Sequence, residues 1–228
     1  MMGRGFVYWV WYVVALTFFA CAIVLGCGCD PDILNIDERP IAEVPTALPA
    51  TKGARVVWLA WADGEPLTRV GADPCARWTP PRASASADQR DAVEAQVNAW
   101  FAPFGITFTY VRPAAVDSMV VVTDSNDWCM TAPNIGGIAP FSGRPISGTA
   151  YAFVGTWGVN ELAQTIAQEY AHMLGLEHST LDGDAMYPVL AGDCQGFLDQ
   201  DAPVGLPDLV YRGHQNSHAM LLAALGPR

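Results

Sequence analysis

Apolar and polar positions along the chain change rhythm several times, and each rhythm predicts a different kind of segment. Phe6 to Leu25 runs without a single charged residue, and such a stretch must enter a bilayer. It exceeds an ordinary export-signal core and only just reaches the length of a spanning helix, so a cleaved signal and an uncleaved anchor both fit. Asp30 to Lys52 has no sustained apolar period and is punctuated by Pro31, Pro40, Pro45 and Pro49, which reads as an extended tether. The folded domain is expected from about Gly53. Arg55 to Trp61 is a short run of β-formers that predicts a buried first strand. Ser86 with Gln89 three residues on is a capping box, and Val93, Val97, Trp100 and Phe101 recur at helical spacing up to Pro103. Ile106, Phe108 and Tyr110 alternate with threonines as in a half-buried strand, and Met119 to Val122 reads as another. Gly136 to Gly148 is a turn-rich loop, Thr149 to Val154 a further strand, and Asn160 is placed to cap a helix running to about Leu174. After Gly175 periodicity nearly vanishes until Asn216 to Leu225, a closing helix. This order describes an α+β domain with a mixed sheet and helices packed on it.

The chemistry-bearing stretch is Gln168-Glu-Tyr-Ala-His-Met-Leu-Gly-Leu-Glu-His178. At roughly 100° per residue, Gln168 and His172 lie within about 40° of one another, while Leu162, Ile166, Tyr170 and Met173 gather on the far side. One face is suited to packing and the other to a site. Gly175 follows His172 by three residues, where a helix can end in a left-handed residue and return His178 toward His172.

These residues resemble the metzincin signature HExxHxxGxxH of zinc peptidases. Glu169, His172, Gly175 and His178 match it, and Gln168 stands where the first histidine is expected. Downstream, Ala185-Met186-Tyr187-Pro188 is similar to the Met-turn of the matrixin branch. The resemblance is dense over Gln168 to Pro188; elsewhere it rests on element order. It implies a metzincin-like zincin fold, with a mixed twisted sheet, two main helices, a Met-turn and a C-terminal helix. It also implies zinc held by His172 and His178, with Gln168 as a weak or substituted ligand. Glu169 is the implied general base, Met186 the floor of the metal pocket beside Tyr187 and Pro188, and peptide or protein the substrate. Gly148 to Phe153 resembles the edge strand along which such enzymes align substrate.

An amide oxygen is a weaker zinc donor than imidazole, so affinity should fall. Two functions follow: a metalloendopeptidase that still works, or a degenerate relative that binds peptide or protein without cutting it.

Composition narrows the setting. A net charge of -11 on 228 residues leaves no basic face for phosphates, so no nucleic-acid partner is expected. About 200 residues beyond the apolar run fit one domain, expected to be monomeric. Val24-Leu25-Gly26-Cys27 resembles the lipobox of bacterial lipoproteins, which makes Cys27 the candidate lipid site. With either lipid or helix as the membrane partner, the body is exported and stays attached: residues 1–27 signal or anchor, 28–52 tether, 53–228 peptidase-like domain. Cys29, Cys75, Cys129 and Cys194 remain for an oxidising compartment, and two of the last three are expected to pair. His214 and His218 read as surface residues, and Asp182, Asp184, Asp199 and Asp201 as solvated loop acids without a calcium-loop spacing. Trp58, Trp61 and Trp100 are expected in the core.

Overall fold

The computed structural model describes residues 55–129, 135–155, 158–190, 192–206 and 209–228. The apolar run, Cys27, the tether and the expected domain start at Gly53 lie outside them. Among the described residues no helix is long and apolar enough to cross a membrane.

Five strands form the main sheet: β1 (Arg55–Trp61), β2 (Ile106–Thr109), β3 (Ser118–Thr123), β4 (Gly137–Ile138) and β5 (Thr149–Phe153). Their spatial order is β2-β1-β3-β5-β4. The first four of these are mutually parallel, and β4 alone runs antiparallel, pairing Gly137 with Ala152 and Ile138 with Tyr151. Helix α1 (Ala87–Trp100) bridges β1 and β2, and α2 (Val159–Met173) follows β5. The architecture is α+β with a mixed sheet and few helices, as expected.

The two-residue period of the strands sorts the core. Val57 and Leu59 of β1, Val120 and Val122 of β3 and Ala150 and Ala152 of β5 join the cluster that contains the buried faces of α1 and α2. The alternate residues Trp58, Ala60, Met119, Val121, Tyr151 and Phe153 form a second cluster with Cys75, and Cys129 packs against it. Both faces of the central strands are therefore covered, which is why β3 and β5 read as continuous apolar runs and not as alternating ones. The alanines of β5 keep its helix-side surface low, and α2 packs there. Cys75 and Cys129 form a disulfide across the second layer, and Cys194 is free and buried. Trp58 and Trp100 are buried, whereas Trp61 is only partly so; Arg90 lies over its ring.

Helix α1 starts as expected, with the Ser86 hydroxyl accepting from the Gln89 N–H. Helix α2 does not. Its N-cap is Gly158, with no side-chain cap, and Asn160 sits inside the first turn, where its amide donates to the Gly192 carbonyl at 2.6 Å. A long-range partner has taken the amide that local spacing assigned to the helix end. Two further expectations are corrected. The loop from Gly136 to Gly148 contains β4, and β5 is interior, flanked by β3 and β4; the sheet's edge on this side is β4.

The stretch without periodicity holds a hairpin, β6 (Asp201–Leu206) and β7 (Leu209–Asn216), separate from the main sheet. Pro203 and a register shift between Pro203 and Gly205 break its pattern, so it carries little period-two signal. Closing helix α3 (Ser217–Leu225) is capped by the Asn216 side chain, which accepts from the Ala219 N–H.

Asp184 is the pin between these parts, and it is buried, not solvated. One carboxylate oxygen accepts from the Met186 N–H at 2.8 Å and the Ser217 hydroxyl at 3.0 Å; the other accepts from the Leu198 N–H at 2.9 Å. Burial pushes its pKa up against the lowering effect of those three donors. Removing the acceptor strands all three, at about 1 kcal/mol or more each. Asp184→Ala is therefore expected to cost on the order of 3 kcal/mol, read from the denaturant midpoint, and a loss under about 1 kcal/mol would show that the pin is dispensable. Of the other acids, Asp182 is exposed, Asp199 accepts from the Asn216 amide, and the exposed Asp201 meets the exposed His214 at Nδ1, 2.9 Å away. His218 packs near Phe104.

Candidate metal centre

Helix α2 ends in a Schellman motif. The Leu176 N–H bonds the Ala171 carbonyl at 3.1 Å and the Gly175 N–H bonds the His172 carbonyl at 3.0 Å. Gly175 has φ +94°, and a Cβ there would meet the Arg144 backbone nitrogen at 2.9 Å, so glycine is required both by conformation and by space. The reversal buries Leu176 and carries the chain back past the helix end.

Hairpin and Met-turn hold the returning segment from two sides. The Gln215 carboxamide pairs with both backbone groups of Glu177, at 3.0 and 2.6 Å. The His178 carbonyl accepts from the Gly205 N–H at 2.9 Å, and the Ser179 N–H donates to the Met186 carbonyl at 2.9 Å. Met186 is fully buried in a tight turn closed by the Tyr187 N–H on the Asp184 carbonyl. None of these partners shows a local pattern; only Gly175 announces itself.

The result is a facing pair of imidazoles. His172 Nε2 and His178 Nε2 are 3.3 Å apart. His172 Nδ1 contacts the Leu176 carbonyl at 2.7 Å; since a carbonyl only accepts, Nδ1 carries the proton and Nε2 presents a lone pair. Burial, and secondarily the neighbouring His178, lower the His172 pKa to about 4. Burial also lowers that of His178. Both rings are thus neutral at pH 7, the form that ligates metal. Two nitrogens at tetrahedral zinc, with bonds of about 2.0–2.1 Å, stand about 3.3–3.4 Å apart. The observed separation fits that bite.

Glu169 is buried one residue beyond Gln168, and burial pushes its pKa up to about 8. Among the described residues it makes no hydrogen bond or ion pair. A divalent cation nearby would supply the opposite charge that this carboxylate lacks. The wall over it is Gly137 of β4: a Cβ there would lie 2.5 Å from Glu169 Cγ and 2.6 Å from the Tyr151 carbonyl oxygen. The paired glycines at 136 and 137 were the available signal for this close approach.

Gln168 is buried too. Its amide nitrogen donates to the carbonyl of Tyr187 at 3.1 Å and, more weakly, to that of Ala185 at 3.4 Å. The helix face expected to be open is therefore covered by the Met-turn and β4. Among the described residues no three His, Cys, Asp or Glu side chains converge on one point, so the protein's own donors here are two imidazoles. Phe141, half exposed, stands edge-on to His172 with ring centroids 6.1 Å apart. His214 and His218 make their contacts elsewhere, with Asp201 and Phe104.

No protein-family profile matches the chain. It is 30% identical over 200 residues to the interstitial collagenase of Bos taurus, an alignment that takes in 82% of this chain and 40% of the collagenase. The chain thus spans about two fifths of that curated relative's length. Among solved structures it is similar to that of myroilysin, at 15% identity and a TM-score of 0.32, covering 59% of this chain and 53% of the other. A superposition of that quality decides nothing about the fold. The collagenase alignment supports a metzincin-like relationship at family level.

Proposed function

We propose that this chain is a zinc-dependent metalloendopeptidase, exported and tethered to a membrane by its N-terminus. The observation that carries the reading is the pair of neutral imidazoles at the separation a tetrahedral zinc requires. His172 and His178 would hold the ion, which when bound supplies Lewis acidity toward a peptide carbonyl.

The remaining work falls to the chain's own groups. Glu169 accepts a proton from the attacking water and returns it to the leaving amine. The Leu176 carbonyl keeps the His172 ring in its ligating tautomer. Among the described residues strand β4 pairs on one side only, with β5, so its other edge can take an extended peptide by backbone hydrogen bonds. Gly137 lies on that strand and against Glu169, which brings a peptide bound there beside the proton carrier. The Cys75–Cys129 disulfide supports an oxidising compartment, in keeping with export.

With two imidazoles and no third, a second reading stays open: a relative that binds peptide without cutting it. Metal analysis separates the two. The full chain, dialysed against zinc and then buffer, should retain close to one zinc per chain, and a His172→Ala/His178→Ala double variant almost none. A parent that retains no zinc leaves the non-cleaving binder.

A further inference from the structure

We propose that Gln168 is a positioning residue and not a metal ligand: with Gln164 it clasps the Met186 turn to helix α2. Gln164 and Gln168 are one helical turn apart, hence on one face, and both are buried. Each donates its amide nitrogen at 3.1 Å to the same acceptor, the Tyr187 carbonyl, and Gln168 adds the longer contact to the Ala185 carbonyl. These carbonyls flank Met186 in sequence.

Two carbonyls accept and cannot donate, so the orientation of the Gln168 carboxamide is fixed with nitrogen toward the turn. Among the described residues both of its hydrogen bonds go there and neither imidazole is a partner. Glutamine suits this task better than the residues it might be exchanged for. A glutamate would set a carboxylate against two carbonyl oxygens, and alanine would leave a buried carbonyl short of a donor. The Met186 turn is also tied to the residue after His178 through the Ser179 N–H. The clasp therefore links the helix that carries His172 to the segment that carries His178, and its bearing on zinc rests on the metallopeptidase reading.

The test uses the full chain, metal-free and carrying ¹³C-methyl methionine, as parent, Gln168→Ala, Gln168→Glu, and Val121→Ala as a control in the separate cluster on the other face of the sheet. Both Gln168 variants should melt about 4 °C or more below the parent. The Met186 methyl resonance should shift in both, and should stay in place in Val121→Ala despite its own loss of melting temperature. Zinc affinity of Gln168→Glu, measured by chelator competition, should not rise by more than about threefold, since the position is not a ligand. Parent-like melting with an unmoved Met186 signal would overturn the clasp, and so would a tenfold or greater gain in zinc affinity on Gln168→Glu. Melting and the Met186 signal are read without metal. A parent that never binds zinc would remove the peptidase reading and still leave the clasp to be judged.

Discussion

Glu169→Gln is expected to lower kcat/KM for peptide hydrolysis by roughly 10²- to 10⁴-fold, the usual contribution of a positioned proton carrier. Zinc content should be unchanged, because the substitution leaves both imidazoles in place. Nor should the metal-free chain melt earlier. Among the described residues the carboxylate has no hydrogen bond or ion pair to lose, and burial already disfavours its charge enough to push its pKa up to about 8. A neutral amide of the same shape escapes that penalty. The combination is diagnostic: activity lost, zinc and stability kept. A variant that cleaves at more than a tenth of the parent rate removes Glu169 from the reaction. A zinc-loaded parent that cleaves nothing across a mixed peptide library moves the protein to the non-cleaving reading.

Removing the Cys75–Cys129 bridge is the change expected to cost most stability. The cysteines are 54 residues apart in sequence, and closing a loop of that length withholds about 4 kcal/mol of chain entropy from the unfolded state. For a domain whose total stability is about 5–15 kcal/mol, that is a large share. The Cys75→Ala/Cys129→Ala variant should therefore melt on the order of 10 °C below the parent. Cys75 is fully buried in the layer that covers the sheet face away from the helices, so loss of its packing adds to the entropic term. Zinc retention should persist at temperatures where the variant is folded, because the imidazole pair lies at the end of α2. A change below about 1 kcal/mol would mean that the rest of the second layer constrains the unfolded chain as well as the bridge does.

Cysteine spacing alone left three pairings among Cys75, Cys129 and Cys194. Burial separates them in the fold: Cys194 belongs to the helix-side cluster, on the other face of the sheet from the bridge. Its thiol is pushed up to about 11, chiefly by burial, and so stays protonated and unreactive at neutral pH.

Helices and central strands were legible because their signals are local. A cap at Ser86, apolar runs in β1 and β3, and the Asn216 start of α3 each occupy a few consecutive residues, and short-range sterics and hydrogen bonds decide them. The same holds for Glu169, His172, Gly175 and His178, whose spacing on one helix and one tight reversal is a matter of backbone geometry. Asn160 shows where this reasoning stops, since its amide found Gly192 across the fold and left the helix to start at a bare glycine. The edge strand was misplaced for a like reason: β4 is two residues long, too short to carry a period.

Residue order by itself thus determined the fold class, the four longer strands of the main sheet and which side chains are available for chemistry. Tertiary structure alone decided that His172 and His178 meet at 3.3 Å, that Gln168 spends its amide on the Met186 turn, that Asp184 is a buried pin and that an aperiodic stretch is the hairpin holding His178. Those outcomes rest largely on individual hydrogen bonds that join residues 14 to 38 positions apart in sequence. Contacts of that kind require two particular atoms and no repeating pattern, so they leave nothing periodic to read.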